Sequence, residues 1–244
     1  NAKSEEIDII DEYIDEVCKN IFIKTRIRVV LDSGNGAAGC VAPKLFKKLG
    51  CDVIELFSEI DGNFPNHHPD PTIKKNISQV SEYIQKNKFD LGIAFDGDGD
   101  RVGIIDNKGN LVYSDLVFLL LALDLQKDKT DLVAVADVKC SKVLFDTLKE
   151  KGIKILMSKT GHSLIKEMIT KENADIAGEM SGHIFYKYKY YGYDDAIYAS
   201  LKLIKIINDE KSNLSDLIEP YIKSSSTPEI KLYCEESIKF KLLN

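Results

Sequence analysis

Residues 89–101 read Phe89-Asp90-Leu91-Gly92-Ile93-Ala94-Phe95-Asp96-Gly97-Asp98-Gly99-Asp100-Arg101. The first half is a short apolar run of the kind that forms a strand buried on both faces, which in soluble proteins belongs to a parallel sheet covered by helices. The second half alternates three carboxylates with two glycines and closes on an arginine. Alternate side chains of an extended segment share one side, so Asp96, Asp98 and Asp100 converge. Gly97 and Gly99 leave the other side uncrowded. Two bare carboxylates ~4 Å apart repel by ~4 kcal/mol at an effective dielectric near 20, and a divalent cation removes that cost. A few short carboxylates, with coordination positions left for other oxygens, suit Mg²⁺ better than a full Ca²⁺ cage. An EF-hand loop begins the same way but needs glycine at its sixth position and glutamate at its twelfth; Arg101 and Asn107 stand there. Two other readings are a plain acidic hairpin turn and a phosphatase with Asp96 as nucleophile. Asp100 fills the place where that phosphatase chemistry usually has Thr or Val.

Around this stretch, strands and helices alternate. Before it come an amphipathic helix over 4–20 capped by Ser4, a strand at 28–32, a glycine-rich turn at 33–39, a helix at 41–49 and a strand at 51–57. A polar, proline-rich loop at 61–72 and a helix at 77–85 follow. After it, 101–113 is a hairpin. The pattern then restarts, with helices at 116–125, 142–151, 163–170 and 194–207 and strands at 132–137, 153–157 and 175–179. This predicts an α/β protein of two similar three-layer domains with mixed, mostly parallel sheets. They are expected at 1–110 and 111–223, each burying a core of its own, with 224–244 as a linker toward a further domain. The strand-like stretches in 230–243 have nothing after them to pack on. The first residue is Asn1 rather than Met, which suggests a piece of a longer protein.

Composition narrows the function classes. A net charge of −6 over 244 residues, without a cluster of Lys and Arg, argues against a nucleic-acid surface. No apolar run is long enough for a membrane span, and 118–123 reads as a buried helix. Five scattered cysteines without a C-x-x-C pattern suit reduced thiols and a cytoplasmic location.

A competing motif lies upstream. Gly34-Asn35-Gly36-Ala37-Ala38-Gly39 fits G-x-G-x-x-G between a strand and a helix, with Glu55 beyond it at the usual spacing for a ribose contact. That pattern supports an NAD-dependent oxidoreductase, but it explains nothing in the acidic turn. The bland alternative, a tight strand-to-helix passage, is preferred.

The four histidines all fall in loop segments. His67 and His68 sit among prolines and read as structural. Gly178-Glu179-Met180-Ser181-Gly182-His183 follows a strand at its carboxyl end, where α/β sheets place ligands. Glu179 and Ser181 suit the hydroxyls of a polyol. Lys139, at another strand end, and His162, at a helix start, bring positive charge for phosphate.

Together these segments resemble the α-D-phosphohexomutases, with the metal loop at Asp96–Arg101 and the sugar loop at Gly178–His183. The forms Asp137-Val138-Lys139-Cys140 and Lys159-Thr160-Gly161-His162-Ser163 are similar to the phosphomannomutase/phosphoglucomutase branch. The resemblance covers the family's second and third domains of four. Neither the phosphoserine loop of its first domain nor the phosphate loop of its fourth has a match in 1–244. The resemblance implies interconversion of hexose 1-phosphate and 6-phosphate, of mannose or glucose, through a phosphoserine and a bisphosphate intermediate. It further implies Mg²⁺ on Asp96, Asp98 and Asp100, with Arg101 facing the transferring phosphoryl group. Lys139, His162, Glu179, Ser181 and His183 would then bind substrate, with His183 as proton-transfer partner.

Overall fold

Val29, Val30 and Leu31 are fully buried, as expected of a strand with helices on both faces. They belong to β1 (Arg28–Asp32), which pairs in parallel with β2 (Asp52–Leu56) and β3 (Leu91–Phe95). β4 (Val102–Ile105) and β5 (Leu111–Val112) complete the sheet as antiparallel strands, in the order β2-β1-β3-β4-β5. The second sheet repeats the plan with β6 (Val133–Asp137), β7 (Lys154–Ser158), β8 (Ile176–Gly178) and an antiparallel β9 (Ile184–Tyr186), in the order β7-β6-β8-β9. This computed structural model describes residues 4, 7–222, 233–235 and 238.

Strand alternation sorts the side chains between layers. Val30, Ala94 and Ile105 face α3 (Ser78–Asn87), which contributes Val80 and Ile84. Val135, Ala177 and Phe185 face α6 (His162–Lys171), which contributes Ile165 and Ile169. The opposite faces of both sheets meet one shared cluster. Leu31, Ile93 and Ile104 from the first sheet and Ala134, Ile176 and Ile184 from the second enclose α4 (Ser114–Gln126) and α7 (Ala196–Glu210). α1 (Ile10–Asn20), α2 (Ala42–Lys48) and α5 (Lys142–Glu150) pack into the same cluster. The layers therefore run helix, sheet, helix, sheet, helix. The expectation that each half buries its own core is corrected, because the middle helical layer serves both. α4 is apolar on all sides, as a helix walled in from both sides must be.

Local boundaries differ from expectation where side chains compete for the backbone. The first helix starts at Ile10, not near Ser4: Asp8 Oδ1 accepts the Ile10 N–H at 3.0 Å, and Ile7 is exposed. The last long helix is capped by Asp195, whose Oδ1 accepts the Tyr198 N–H at 2.8 Å. β9 and the short α8 (Leu214–Ile218) were not anticipated. The expected linker and the strand-like stretches in 230–243 lie outside the described residues, apart from 233–235 and 238.

Candidate active site

β3 delivers the acidic turn to the carboxyl end of the first sheet. Asp96, only 2% exposed, is held rigidly: its Oδ1 accepts the N–H groups of Gly99 and Arg101 at 3.1 Å each, and its Oδ2 accepts Arg101 Nε at 2.6 Å. Gly99, at φ +79°, makes the left-handed turn that folds the loop back. Ligand oxygens of Asp96, Asp98 and Asp100 lie within 4.8 Å of one another, with Asp98 exposed and Asp100 half-buried. An all-carboxylate donor set fits a hard divalent ion. Arg101 uses Nε on Asp96, and its Nη1 lies 3.9 Å from Asp70 Oδ1.

The glycine-rich turn supports this loop and has no room for a pyrophosphate. A Cβ on Gly36 would lie 2.6 Å from the Gly97 carbonyl oxygen, and that oxygen accepts the Ala37 N–H at 2.9 Å. The neighbouring amides are also committed: Gly34 N–H to Asp32 Oδ1, Asn35 N–H to the Phe57 carbonyl and Gly36 N–H to the Ser33 carbonyl. Glu55 is paired with Lys47. The glycines thus allow two loops to touch, and the oxidoreductase reading is set aside. His67 joins the same support, its Nε2 lying 3.0 Å from Oδ2 of the buried Asp32. The hydrogen bond to Asp32 raises the imidazole pKa against the opposing effect of burial.

The second sheet brings its own loop to meet the first. Arg101 and His183 pair as an antiparallel bridge, and Val102 donates its N–H to the Gly182 carbonyl at 3.2 Å. Gly182 must be glycine here, at φ +103° and with a Cβ position 2.7 Å from the Val102 oxygen. His183 Nδ1 lies 2.8 Å from Ser181 Oγ and 3.0 Å from Glu179 Oε2, and its Nε2 lies 3.4 Å from Asp100 Oδ1. Glu179 Oε1 accepts the Gly161 N–H at 2.7 Å. Burial disfavours charge on both Glu179 and His183. Their mutual contact outweighs it, with Gly161 helping Glu179 and Asp100 helping His183, so the carboxyl sits below its usual range and the imidazole above.

Three further loops close around this point. His162 stacks on His183 with ring centroids 5.8 Å apart. Lys139 is exposed in the turn after β6. Two residues without a role assigned from the sequence organise the rest. Asp137, fully buried at the end of β6, accepts Thr160 Oγ1 at 3.0 Å, Cys140 Sγ at 3.1 Å and the Met180 N–H at 3.3 Å. Asp194 lies 2.7 Å from Lys166 Nζ and 3.5 Å from His162 Nδ1. The structure thus gathers Asp96, Asp98, Asp100, Arg101, His162, Glu179, Ser181 and His183 at one place, with Lys139 on a loop pinned to it.

Comparison with known proteins agrees with this arrangement. Residues 11–109 match the family model for phosphoglucomutase/phosphomannomutase alpha/beta/alpha domain II, and residues 113–224 match that for domain III. The chain belongs to the phosphoglucomutase/phosphomannomutase family. It is 45% identical to a phosphomannomutase/phosphoglucomutase of Pseudomonas syringae pv. tomato over 98% of its length and 51% of the relative's. It is 40% identical to a phosphoglucomutase of Neisseria gonorrhoeae, over 95% of this chain and 50% of that one. A solved structure of a phosphoglucomutase/phosphomannomutase family protein from Burkholderia thailandensis superposes with a TM-score of 0.88 at 40% identity, covering 92% of this chain and 49% of that one. The chain therefore spans about half the length of the curated relatives it matches. Phosphohexomutases use a metal ion, and the acidic turn has the donor set for one. Among the described residues no helix is long and apolar enough to cross a membrane.

Proposed function

We propose that this chain supplies the metal-bearing and sugar-reading parts of a phosphohexomutase of the phosphomannomutase/phosphoglucomutase type. Its parent interconverts hexose 1-phosphate and hexose 6-phosphate, of mannose or glucose, through a phosphoserine and a bisphosphate intermediate. Residues 1–110 form the metal-bearing unit and 111–223 the sugar-reading unit. The observation that carries this reading is the approach of His183 Nε2 to Asp100 Oδ1 at 3.4 Å, which sets the sugar loop directly against the acidic turn.

Asp96, Asp98 and Asp100 would hold Mg²⁺, which when bound supplies charge to stabilise the phosphoryl group in flight. Arg101, anchored through Nε, keeps terminal guanidinium nitrogens for phosphoryl oxygens. Glu179 and Ser181 read sugar hydroxyls, and equivalent contacts serve the sugar in either orientation. His183, held on one nitrogen by Glu179 and Ser181, presents the other toward the reacting hydroxyl and can take or return its proton. Lys139 and His162 bring positive charge to the substrate phosphate. The five free thiols suit a cytoplasmic metabolic enzyme.

The test is a coupled assay for glucose 1-phosphate conversion by the parent protein with Mg²⁺ and glucose 1,6-bisphosphate. Turnover that is lost with Asp98→Asn supports the reading. A folded, phosphorylated parent without activity on either hexose phosphate overturns it. Residues 1–244 alone are expected to show no turnover, because no nucleophile loop has been recognised in them; sustained turnover would place a nucleophile within this stretch.

A further inference from the structure

We infer that Asp137 is a positioning residue, whose buried carboxylate sets the spacing of the three loops that carry Lys139, His162 and the pair Glu179 and Ser181; this rests on the reading above, in which those loops contact the hexose phosphate. Strand order explains why this residue can do so. β6 pairs in parallel with β7 on one side and β8 on the other, so three loops leave the same edge of the sheet side by side. The register sets Asp137 beside Ser158 and Ala136 beside Gly178. A short side chain at the end of the central strand therefore reaches its own loop and both neighbouring ones.

The hydrogen bonds use that place on all three sides. Oδ1 accepts the Cys140 thiol at 3.1 Å, from the loop after β6, and the Met180 N–H at 3.3 Å, from the loop after β8. Oδ2 accepts the Thr160 hydroxyl at 3.0 Å, from the loop after β7. These donors are neutral and the carboxylate is fully buried, so displacing any one loop strands a charged oxygen in the interior. The bonded residues adjoin those assigned to substrate. Lys139 precedes Cys140, His162 lies two residues past Thr160, and Glu179 and Ser181 flank Met180. Glu179 Oε1 adds a direct tie between two of the loops by accepting the Gly161 N–H at 2.7 Å. Asp115, buried in the first turn of α4, fixes the far end of the Lys139 turn: its Oδ2 accepts the Ser141 N–H at 2.9 Å. On the near side, Val138 donates its N–H to the Ser158 carbonyl at 2.9 Å. Substrate groups held at fixed spacing bind and react without a further loss of freedom, and small misplacements are costly.

In the 244-residue chain, amide hydrogen exchange at Met180 and Gly161 should quicken together, by roughly tenfold or more, in Asp137→Ala and in the milder Thr160→Val. The Ala37 amide of the glycine turn should be unaffected. In the full-length parent, both variants should raise KM for glucose 1-phosphate and mannose 1-phosphate by roughly fivefold or more. Asp137→Asn should recover most of that loss, because its Oδ1 still accepts the Met180 N–H and its amide can donate to the Thr160 oxygen. Leu121→Ala, at a fully buried position of the middle helical layer, lowers stability without removing any of these contacts and should leave KM unchanged. Any of four results would overturn the inference: exchange at Met180 and Gly161 that stays slow in Asp137→Ala, an unchanged KM in that variant, an Asn variant no better than the Ala one, or an equal rise of KM in Leu121→Ala. A parent inactive on both hexose phosphates would overturn the proposed function instead, and the exchange rates would then decide alone whether Asp137 ties the loops.

Discussion

Arg101 and His183, 82 positions apart in the chain, face each other as an antiparallel bridge between the two halves of the molecule. The loop that carries the carboxylates and the loop proposed to read sugar are therefore joined by backbone pairing. A displacement of one is transmitted to the other without any side chain in between.

The acidic turn should bind one Mg²⁺ with clear discrimination among nearby aspartates. Asp98→Asn is expected to weaken binding by roughly tenfold or more, since it removes one of few charged ligands. Asp106→Asn should leave affinity unchanged, because Asp106 Oδ1 is committed to the Lys108 and Asn110 amides of the hairpin turn. Titration calorimetry on both variants decides it, and equal affinities for Asp98→Asn and wild type would refute the assignment.

The glycine turn should act through the metal loop and not through a nucleotide. NADH fluorescence should not change on adding the protein. Gly36→Ala should force the Gly97 carbonyl to move, at a cost of ~1–3 kcal/mol, and weaken Mg²⁺ binding. Saturable NADH binding abolished by Gly36→Val would restore the oxidoreductase reading.

Glu179→Ala in the full-length parent should lower kcat/KM for both hexose phosphates by roughly tenfold or more, since a charge-assisted hydrogen bond contributes ~1.5–3 kcal/mol. Steady-state kinetics on glucose 1-phosphate and mannose 1-phosphate make the check. Unchanged values on both would mean that this loop does not contact sugar.

His67 should make stability depend on pH with a defined sign. The hydrogen bond to Asp32 raises its folded pKa above the ordinary histidine value, although burial opposes it. The folded state thus binds the proton more tightly than the unfolded state. The stabilisation is fully present below the unfolded pKa, about 6.5, and is lost as pH rises through the folded value. Urea unfolding at pH 5.5 and pH 8.5 should show this loss in wild type and a smaller difference in His67→Gln. Equal pH dependence in the two proteins would rule the contribution out.

Leu121→Ala, at a fully buried position of α4, should cost ~2–5 kcal/mol. Because α4 is walled by both sheets, thermal unfolding should remain a single transition at a lower midpoint. Calorimetry resolving two transitions, only one of them shifted, would show that the halves melt separately.

Much of this was readable from local pattern. β1, β3 and β6 are apolar runs that each lead into an aspartate at the carboxyl end, and their buried positions follow directly. The acidic turn was legible because three aspartates at period two have few structural uses. Asp194 was not, since it is one acid in a tyrosine-rich loop and only packing beside His162 and Lys166 gives it a role. Asp137 looked like an ordinary strand end until the Met180 amide and Thr160 hydroxyl were seen to converge on it. The glycine turn was ambiguous for a physical reason: close approach to a pyrophosphate and close approach to Gly97 demand the same missing side chain. β9 is three residues long and its pairing with β8 is set by the loop between them, so no periodicity announced it.

The middle helical layer has a consequence for how such a chain is inherited. α4 and α7 are each fitted on one side to β4, from the first sheet, and on the other to β8 or β9, from the second. A recombination event that joined residues before 110 to a distant relative's later half would press these helices against a wall shaped for different side chains. Mismatched cores lose stability through both voids and clashes. The two sheets are therefore selected as a matched pair, and substitutions on one face of α4 constrain those on the other across a boundary where the β-α-β pattern simply starts again.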